Sequence, residues 1–193
     1  MTSNPDPLRS VGAALSNWSM VELQLANLFS AAADMRSQRN AYAHFDTIIS
    51  FDTRLAICDR LMSLEEVDEI ESTMWTVLSA KLSKSYKKRH ELAHFSARHD
   101  DDGETCIGIT PFNTWSKFAA GTDKILTILD IQERAKKFID LHMAVGWFSV
   151  QAFSRHAGSP PQVQPEPALV PQLRALAIQR IEAKKRPGSQ PQS

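Results

Sequence analysis

Between Leu8 and Met35 apolar side chains return every three or four residues, and neither proline nor, after Gly12, glycine interrupts them. Val11, Ala14, Leu15, Trp18, Val21, Leu25, Leu28, Phe29 and Ala32 therefore share one face of a helix. That period excludes a strand and obliges the segment to bury its stripe against other helices. The pattern recurs. A second helical region runs from Arg39 to Leu64, where Ser50 or Asp52 offers a cap for a fresh start, and Phe51, Leu55, Cys58 and Met62 form its later stripe. A third helix is expected over Glu66–Ser96, with Trp75, Leu78, Leu82 and Tyr86 on one side. A fourth is expected from Asp130, where Asp130 and Glu133 have capping-box spacing and Phe138, Leu141, Val145, Phe148 and Ala152 continue the seam. Four amphipathic helices of this kind predict an all-α fold, an antiparallel four-helix-type bundle.

Between the third and fourth helices the helical period stops. Asp100, Asp101, Asp102 and Gly103 read as an acidic turn, and Thr105–Pro111 is rich in β-formers. A small β-hairpin or loop insertion is expected here, with Lys124–Ile128 as a candidate partner strand. After residue 157 the composition shifts to Pro160, Pro161, Pro165, Pro167 and Pro171. Residues 1–157 are thus expected to form the bundle, and 158–193 a Pro-rich linker with a short basic C-terminal helix and tail.

The 193 residues, 42% of them hydrophobic, suffice for one core. Lys+Arg and Asp+Glu each number 22, so no global field draws the chain to a polyanion, and any such binding must rest on a local patch. Two cysteines, Cys58 and Cys106, suggest neither a disulfide framework nor a zinc cluster. The first ten residues lack a signal-peptide pattern, and no apolar run reaches the roughly 18–20 residues that span a bilayer. The expectation is a cytoplasmic protein without membrane, metal or cofactor.

The segment richest in chemistry is Lys81-Leu-Ser-Lys-Ser-Tyr-Lys-Lys-Arg-His-Glu-Leu-Ala-His-Phe95. At about 100° per residue, Arg89 falls on the stripe of Trp75, Leu82, Tyr86 and Ala93. A guanidinium on an apolar stripe must reach a partner, a polar pocket or an interface, because an unpaired buried charge is costly. His90 and His94, four apart, share a face. Arg89 and His94 lie about 140° apart on an ideal helix. They converge if the arginine swings across, or if a two-fold interface supplies the complementary group. The Arg-x4-His spacing is cheap and occurs again at Arg39 and His44, so spacing alone does not choose between the copies.

Arg89-His90-Glu91-Leu92-Ala93-His94 resembles the signature of HEPN proteins, in which Arg, a polar residue, mostly apolar residues and a His stand late in a bundle helix. Trp18-Ser-Met-Val-Glu22, Ser50-Phe51-Asp52 and the basic run before the motif resemble small bacterial members, over roughly Leu8–Phe153. The resemblance implies a metal-independent, homodimeric endoribonuclease, a hydrolase in a toxin–antitoxin or defence role. It places catalysis at Arg89 and His94, with His90 orienting His94 or moving the complementary proton. It places RNA-binding at Lys81, Lys84, Lys87, Lys88 and Arg98. It favours the Arg89 copy by position, since Arg39 and His44 open helix two. Some members carry a Tyr two residues after the His as the target of a partner antitoxin. Here Ser96 stands there, which puts that kind of antitoxin partner in doubt. The alternative from a different class is a non-catalytic RNA- or protein-binding module.

Blander readings stand beside these. Arg89 and His94 also suit a helix C-terminus, where the macrodipole favours cations. A lysine run is often only a solvated face. Glu22, in the stripe between Trp18 and Leu25, either supports the site or pairs with Arg54 or Arg89.

Overall fold

The computed structural model describes residues 6–99, 106–111, 125–158 and 165–185. These form six helices, α1 (Pro7–Ala32), α2 (Gln38–Asp46), α3 (Phe51–Met62), α4 (Glu69–Ala93), α5 (Ile128–His156) and α6 (Leu169–Lys185). Two short strands, β1 (Phe95–His99) and β2 (Cys106–Pro111), separate α4 from α5. The fold is all-α with a small hairpin, as expected. No helix among the described residues is long and apolar enough to cross a membrane.

Local chemistry sets most helix ends. Asp6 accepts the Leu8 amide at 2.9 Å, and Pro7 follows where a helix needs no N–H. Ser37 and Ser50 cap α2 and α3 by accepting from the Asn40 and Thr53 amides. The expected second helical region is therefore two helices, broken at Ser50. Asp68 accepts from the Glu71 amide at 2.7 Å and starts α4. The fourth long helix begins earlier than expected, because its capping box is Thr127 with Asp130. The Thr127 amide donates to Asp130 Oδ2 at 2.9 Å, and the Asp130 amide to Thr127 Oγ1 at 3.3 Å. At the end of α1 Asp34 takes the left-handed region with φ 48°. Its amide donates to the Ala31 carbonyl and that of Met35 to the Ser30 carbonyl, the paired bonds of a Schellman end.

Contacts divide the chain into two compact units, residues 1–22 with 84–142, and residues 23–83 with 143–193.

In the first unit Trp18, 1% exposed, is the centre. Its ring meets Phe138 edge-on at 5.1 Å and Tyr86 at 6.0 Å between centroids. Ala14, Leu92, Ile109, Ile131 and Leu141 are buried with it. Here α4 ends at Ala93 rather than Ser96, because Phe95–His99 pairs antiparallel with Cys106–Pro111. The pairing registers Ala97 with Ile109 and Arg98 with Gly108. The expected partner segment also reaches β2, on its other edge. Ile109 and Leu126 exchange backbone hydrogen bonds of 3.1 and 2.8 Å as an isolated bridge. Gly108 makes that approach feasible, since a Cβ there would lie 2.6 Å from the Leu126 carbonyl oxygen and 2.7 Å from Ile125 Cγ2. The acidic turn expected at Asp100–Gly103 lies outside the described residues.

In the second unit Phe45, Leu25, Leu28, Met74, Leu78 and Phe148 are almost fully buried. Asp59 of α3 accepts from Trp75 Nε1 at 2.9 Å and from Ser79 Oγ at 3.0 Å, fastening α3 to α4. The thiol of neighbouring Cys58 donates to the Leu25 carbonyl, and burial, reinforced by the Asp59 charge, pushes its pKa up to about 12. Arg155 of α5 bridges Glu65 and Glu71 at 2.9 Å each, and His156 Nε2 meets the other Glu65 oxygen. The C-terminal helix belongs to this unit. It starts at Leu169, with Pro171 in its first turn where the missing N–H costs nothing, and it buries Val170, Leu173, Ala177 and Ile181.

A non-glycine residue at φ 48° is strained, and glycine there returns only part of the gain as unfolded-state entropy. Asp34→Gly should therefore raise stability by about 0.5–1 kcal/mol in urea unfolding. Lower stability than the parent would show that the aspartate relieves its own strain.

Candidate functional site

The Arg89 motif closes α4 in the first unit, and its placement follows from helical spacing. Tyr86, His90 and His94 recur every four residues, so their rings step along one side of the helix end. Tyr86 and His90 lie 6.5 Å apart between centroids, and His90 and His94 only 4.5 Å, tilted by 55°. Both histidines are exposed, while Tyr86 is half-buried against Trp18. The buried Trp18–Phe138 pair thus continues outward as a row of rings that ends in two imidazoles. The last helical bond, from the His94 amide to the His90 carbonyl at 3.1 Å, holds His94 in step before β1 begins.

Arg89 projects from a different side. Its residue is half-buried, its Nε is shielded from solvent, and that N–H has no hydrogen-bond partner. No ion pair joins it to a described residue. A guanidinium N–H desolvated without an acceptor carries the full penalty of a lost hydrogen bond. An anion placed against it would remove that penalty.

Glu22 accepts the Trp18 indole N–H at 2.8 Å, so its carboxylate helps to fix the central tryptophan. Lys84, Lys87 and Lys88 are exposed on α4. Lys81, half-buried, falls in the other unit. Arg98 reaches across the hairpin, its Nε donating to Thr110 Oγ1 at 2.9 Å, so one of its donors is committed to bracing the strands. The second Arg-x4-His pair, Arg39 and His44, lies exposed on the nine-residue α2 in the second unit.

One residue of this region escaped the sequence reading. Arg134 of α5 donates from Nη1 to the Lys88 carbonyl at 3.2 Å and forms an ion pair with Glu91 at 2.7 Å. It grips the last turns of α4 on both sides of Arg89, where the helix dipole favours a cation. The signal was available. Arg134 stands on the seam of Ile131, Phe138 and Leu141, the same anomaly that singled out Arg89.

The last turns of α4 thus carry two neighbouring imidazoles on one side, a partly desolvated guanidinium on another, and exposed lysines. Among the described residues no three His, Cys, Asp or Glu side chains are grouped to hold a metal ion. Comparison with protein-family models, curated proteins and solved structures returns no match.

Two outcomes follow. Arg134→Met, which keeps the stem and removes the charge, should cost about 1–2 kcal/mol, as expected for a partly buried charged hydrogen bond, with α4 resonances near Lys88 shifting in NMR spectra. The second concerns His142 in the same unit. Its Nδ1 is buried without a partner, and desolvation lowers its pKa below the ordinary 6.5. Below 6.5 the unfolded chain takes up a proton there that the folded chain resists, so stability falls as pH drops through that window; above it both states are neutral. Denaturation midpoints measured across this range should slope less for His142→Gln than for the parent. Identical slopes would remove His142 from the balance.

Proposed function

We propose that the chain is a HEPN-like endoribonuclease that acts as a homodimer without metal, in a toxin or defence role. The observation that carries this reading is the pairing of His90 and His94 at 4.5 Å at the exposed helix end that also bears Arg89, whose Nε lacks an acceptor. Imidazoles exchange protons near neutral pH, and a guanidinium desolvated without a partner suits a phosphate.

The chemistry would run as follows. His94 takes the proton of the RNA 2′-hydroxyl, whose oxygen attacks the adjacent phosphorus. The P–O5′ bond breaks as a 2′,3′-cyclic phosphate forms, and the leaving 5′-oxygen receives a proton from the complementary imidazole. Arg89 binds the phosphate and offsets the charge that develops on its oxygens. His90, whose ring lies 4.5 Å from that of His94, orients that ring or moves the complementary proton. Lys84, Lys87 and Lys88 hold flanking phosphates. The requirement for a 2′-hydroxyl confines the substrate to RNA. The second copy supplies the complementary group to each site.

The non-catalytic alternative, an RNA- or protein-binding module, is favoured by one observation. No hydrogen bond joins Arg89 to His94 in the single chain, and the Arg89 Nε has no partner, whereas the exposed lysines would bind a phosphate backbone regardless.

Purified protein should cleave single-stranded RNA in EDTA, and His94→Ala should reduce the rate by a factor of about 10²–10⁴. His94 is exposed, so this variant should keep the parent's stability within about 0.5 kcal/mol. Intact RNA with both proteins rejects catalysis. In that case, RNA binding that weakens with salt, with a slope smaller by about one unit in Lys84→Ala or Lys87→Ala, supports the binding module.

A further inference from the structure

The two imidazoles at the end of α4 are spaced for a chelate as well as for proton transfer. Side chains four apart on a helix project side by side, and two histidines so placed are the means by which a helix holds zinc. With metal–nitrogen bonds of about 2.0–2.1 Å, each ring centroid lies about 3.2 Å from the ion, so two rings at adjacent corners stand about 4.5–5 Å apart. The His90 and His94 centroids are 4.5 Å apart, with the rings tilted by 55°. We propose that His90 and His94 chelate a divalent transition-metal ion.

Three features prepare the pair. The His94 amide donates to the His90 carbonyl at 3.1 Å, so the two side chains leave consecutive turns of an intact helix. Both residues are exposed, which lets an ion approach with its remaining waters and without desolvating the protein. Both also sit in the last turns of α4, where the negative end of the helix dipole favours a cation. Lys87 and Lys88 oppose that attraction, but they are exposed and salt screens their charge.

The ligand set narrows the ion. Imidazole suits copper, nickel and zinc, whereas magnesium and calcium prefer oxygen. Among the described residues no third His, Cys, Asp or Glu side chain joins the pair, so solvent completes the coordination. With two nitrogens and no imposed geometry, affinity follows the ordinary order, and Cu²⁺ binds tightest. Glu91 stands between the histidines, where zinc hydrolases place the carboxylate that activates a metal-bound water. Here Arg134 of α5 engages that carboxylate in an ion pair of 2.7 Å. The site therefore holds a metal without putting it to hydrolytic use.

A bound metal occupies the lone pair with which an imidazole would accept a proton. One consequence rests on the proposed nuclease reading: occupation silences His94 as a base, so the metal acts as an inhibitor. Chelation itself does not depend on that reading.

The test uses untagged protein stripped of metal by a chelator. Isothermal titration should show binding of Cu²⁺, Ni²⁺ and Zn²⁺, tightest for Cu²⁺, and none of Mg²⁺. His90→Gln and His94→Gln should each weaken binding about 10–100-fold, because the second ligand of a chelate adds intramolecularly. Both positions are exposed, so these variants should keep the parent's fold, and His99→Gln should bind as the parent does. Electron paramagnetic resonance of the Cu²⁺ complex should show two imidazole nitrogens in the parent and one in either variant. Absence of binding overturns the proposal, as does binding that His90→Gln and His94→Gln leave unchanged. RNA cleavage in EDTA should stop once Zn²⁺ exceeds the chelator, and cleavage that persists at saturating Zn²⁺ overturns the inhibitory role. RNA left intact in EDTA rejects the nuclease instead, and titration and resonance then decide the metal site by themselves.

Discussion

The burial of one indole organises the unit that carries the candidate site. Trp18 packs against Phe138 of α5 and Tyr86 of α4, and its single polar atom is satisfied by Glu22 one turn along α1. A buried tryptophan contributes a large apolar area, but its N–H must find an acceptor. Glu22 meets that need, which explains a carboxylate in an otherwise apolar stripe. Because Tyr86 leans on this indole, the phase of α4 is set there, and with it the side on which His90 and His94 emerge. Arg134 then holds the Lys88 carbonyl and the Glu91 carboxylate, so the last turns of α4 are fixed at two points along their length. The imidazoles are solvent-exposed but stand on a rigid base.

Much of this was readable from period and composition. The apolar stripes of α1, α3, α4 and α5 are buried as their spacing requires, because helix faces answer to local sequence. Ser50 divides the second helical region because a serine hydroxyl competes for the amides of a new first turn. Other features depend on partners distant in sequence. Nothing local ends α4 at Ala93; the end is dictated by β2, which offers Phe95–His99 a ladder. Leu126 joins the far edge of β2 through a single bridge, too short to leave a periodic trace. The Asp130–Glu133 spacing resembled a capping box, yet the pair that forms is Thr127 with Asp130, whose hydroxyl and carboxylate are the better-matched partners. Pro171 looked like an interruption because proline breaks helices, but in a first turn it is tolerated, and the helix it opens is buried along one side.

The site divides in the same way. The ring row of Tyr86, His90 and His94 follows directly from four-residue spacing. The role of Arg98 as a strap across the hairpin, and that of Arg134 as a clamp, needed the tertiary arrangement to be seen. The second unit is bound by polar contacts of comparable reach. Asp59 ties Trp75 and Ser79 together, and Arg155 joins Glu65 to Glu71. Such contacts join segments far apart in the chain, and breaking one partner leaves the other desolvated.

The glycine of β2 sets a limit on how this architecture can drift. At Gly108 the backbone of the strand rests directly on that of the segment entering α5, leaving no room for even a methyl group. A heavier residue would prise Leu126 away from Ile109 and, through the start of α5, loosen the helix that bears Arg134. A change at an exposed lysine leaves the scaffold as it is, but a side chain at this place would mark a chain whose hairpin is attached in some other manner.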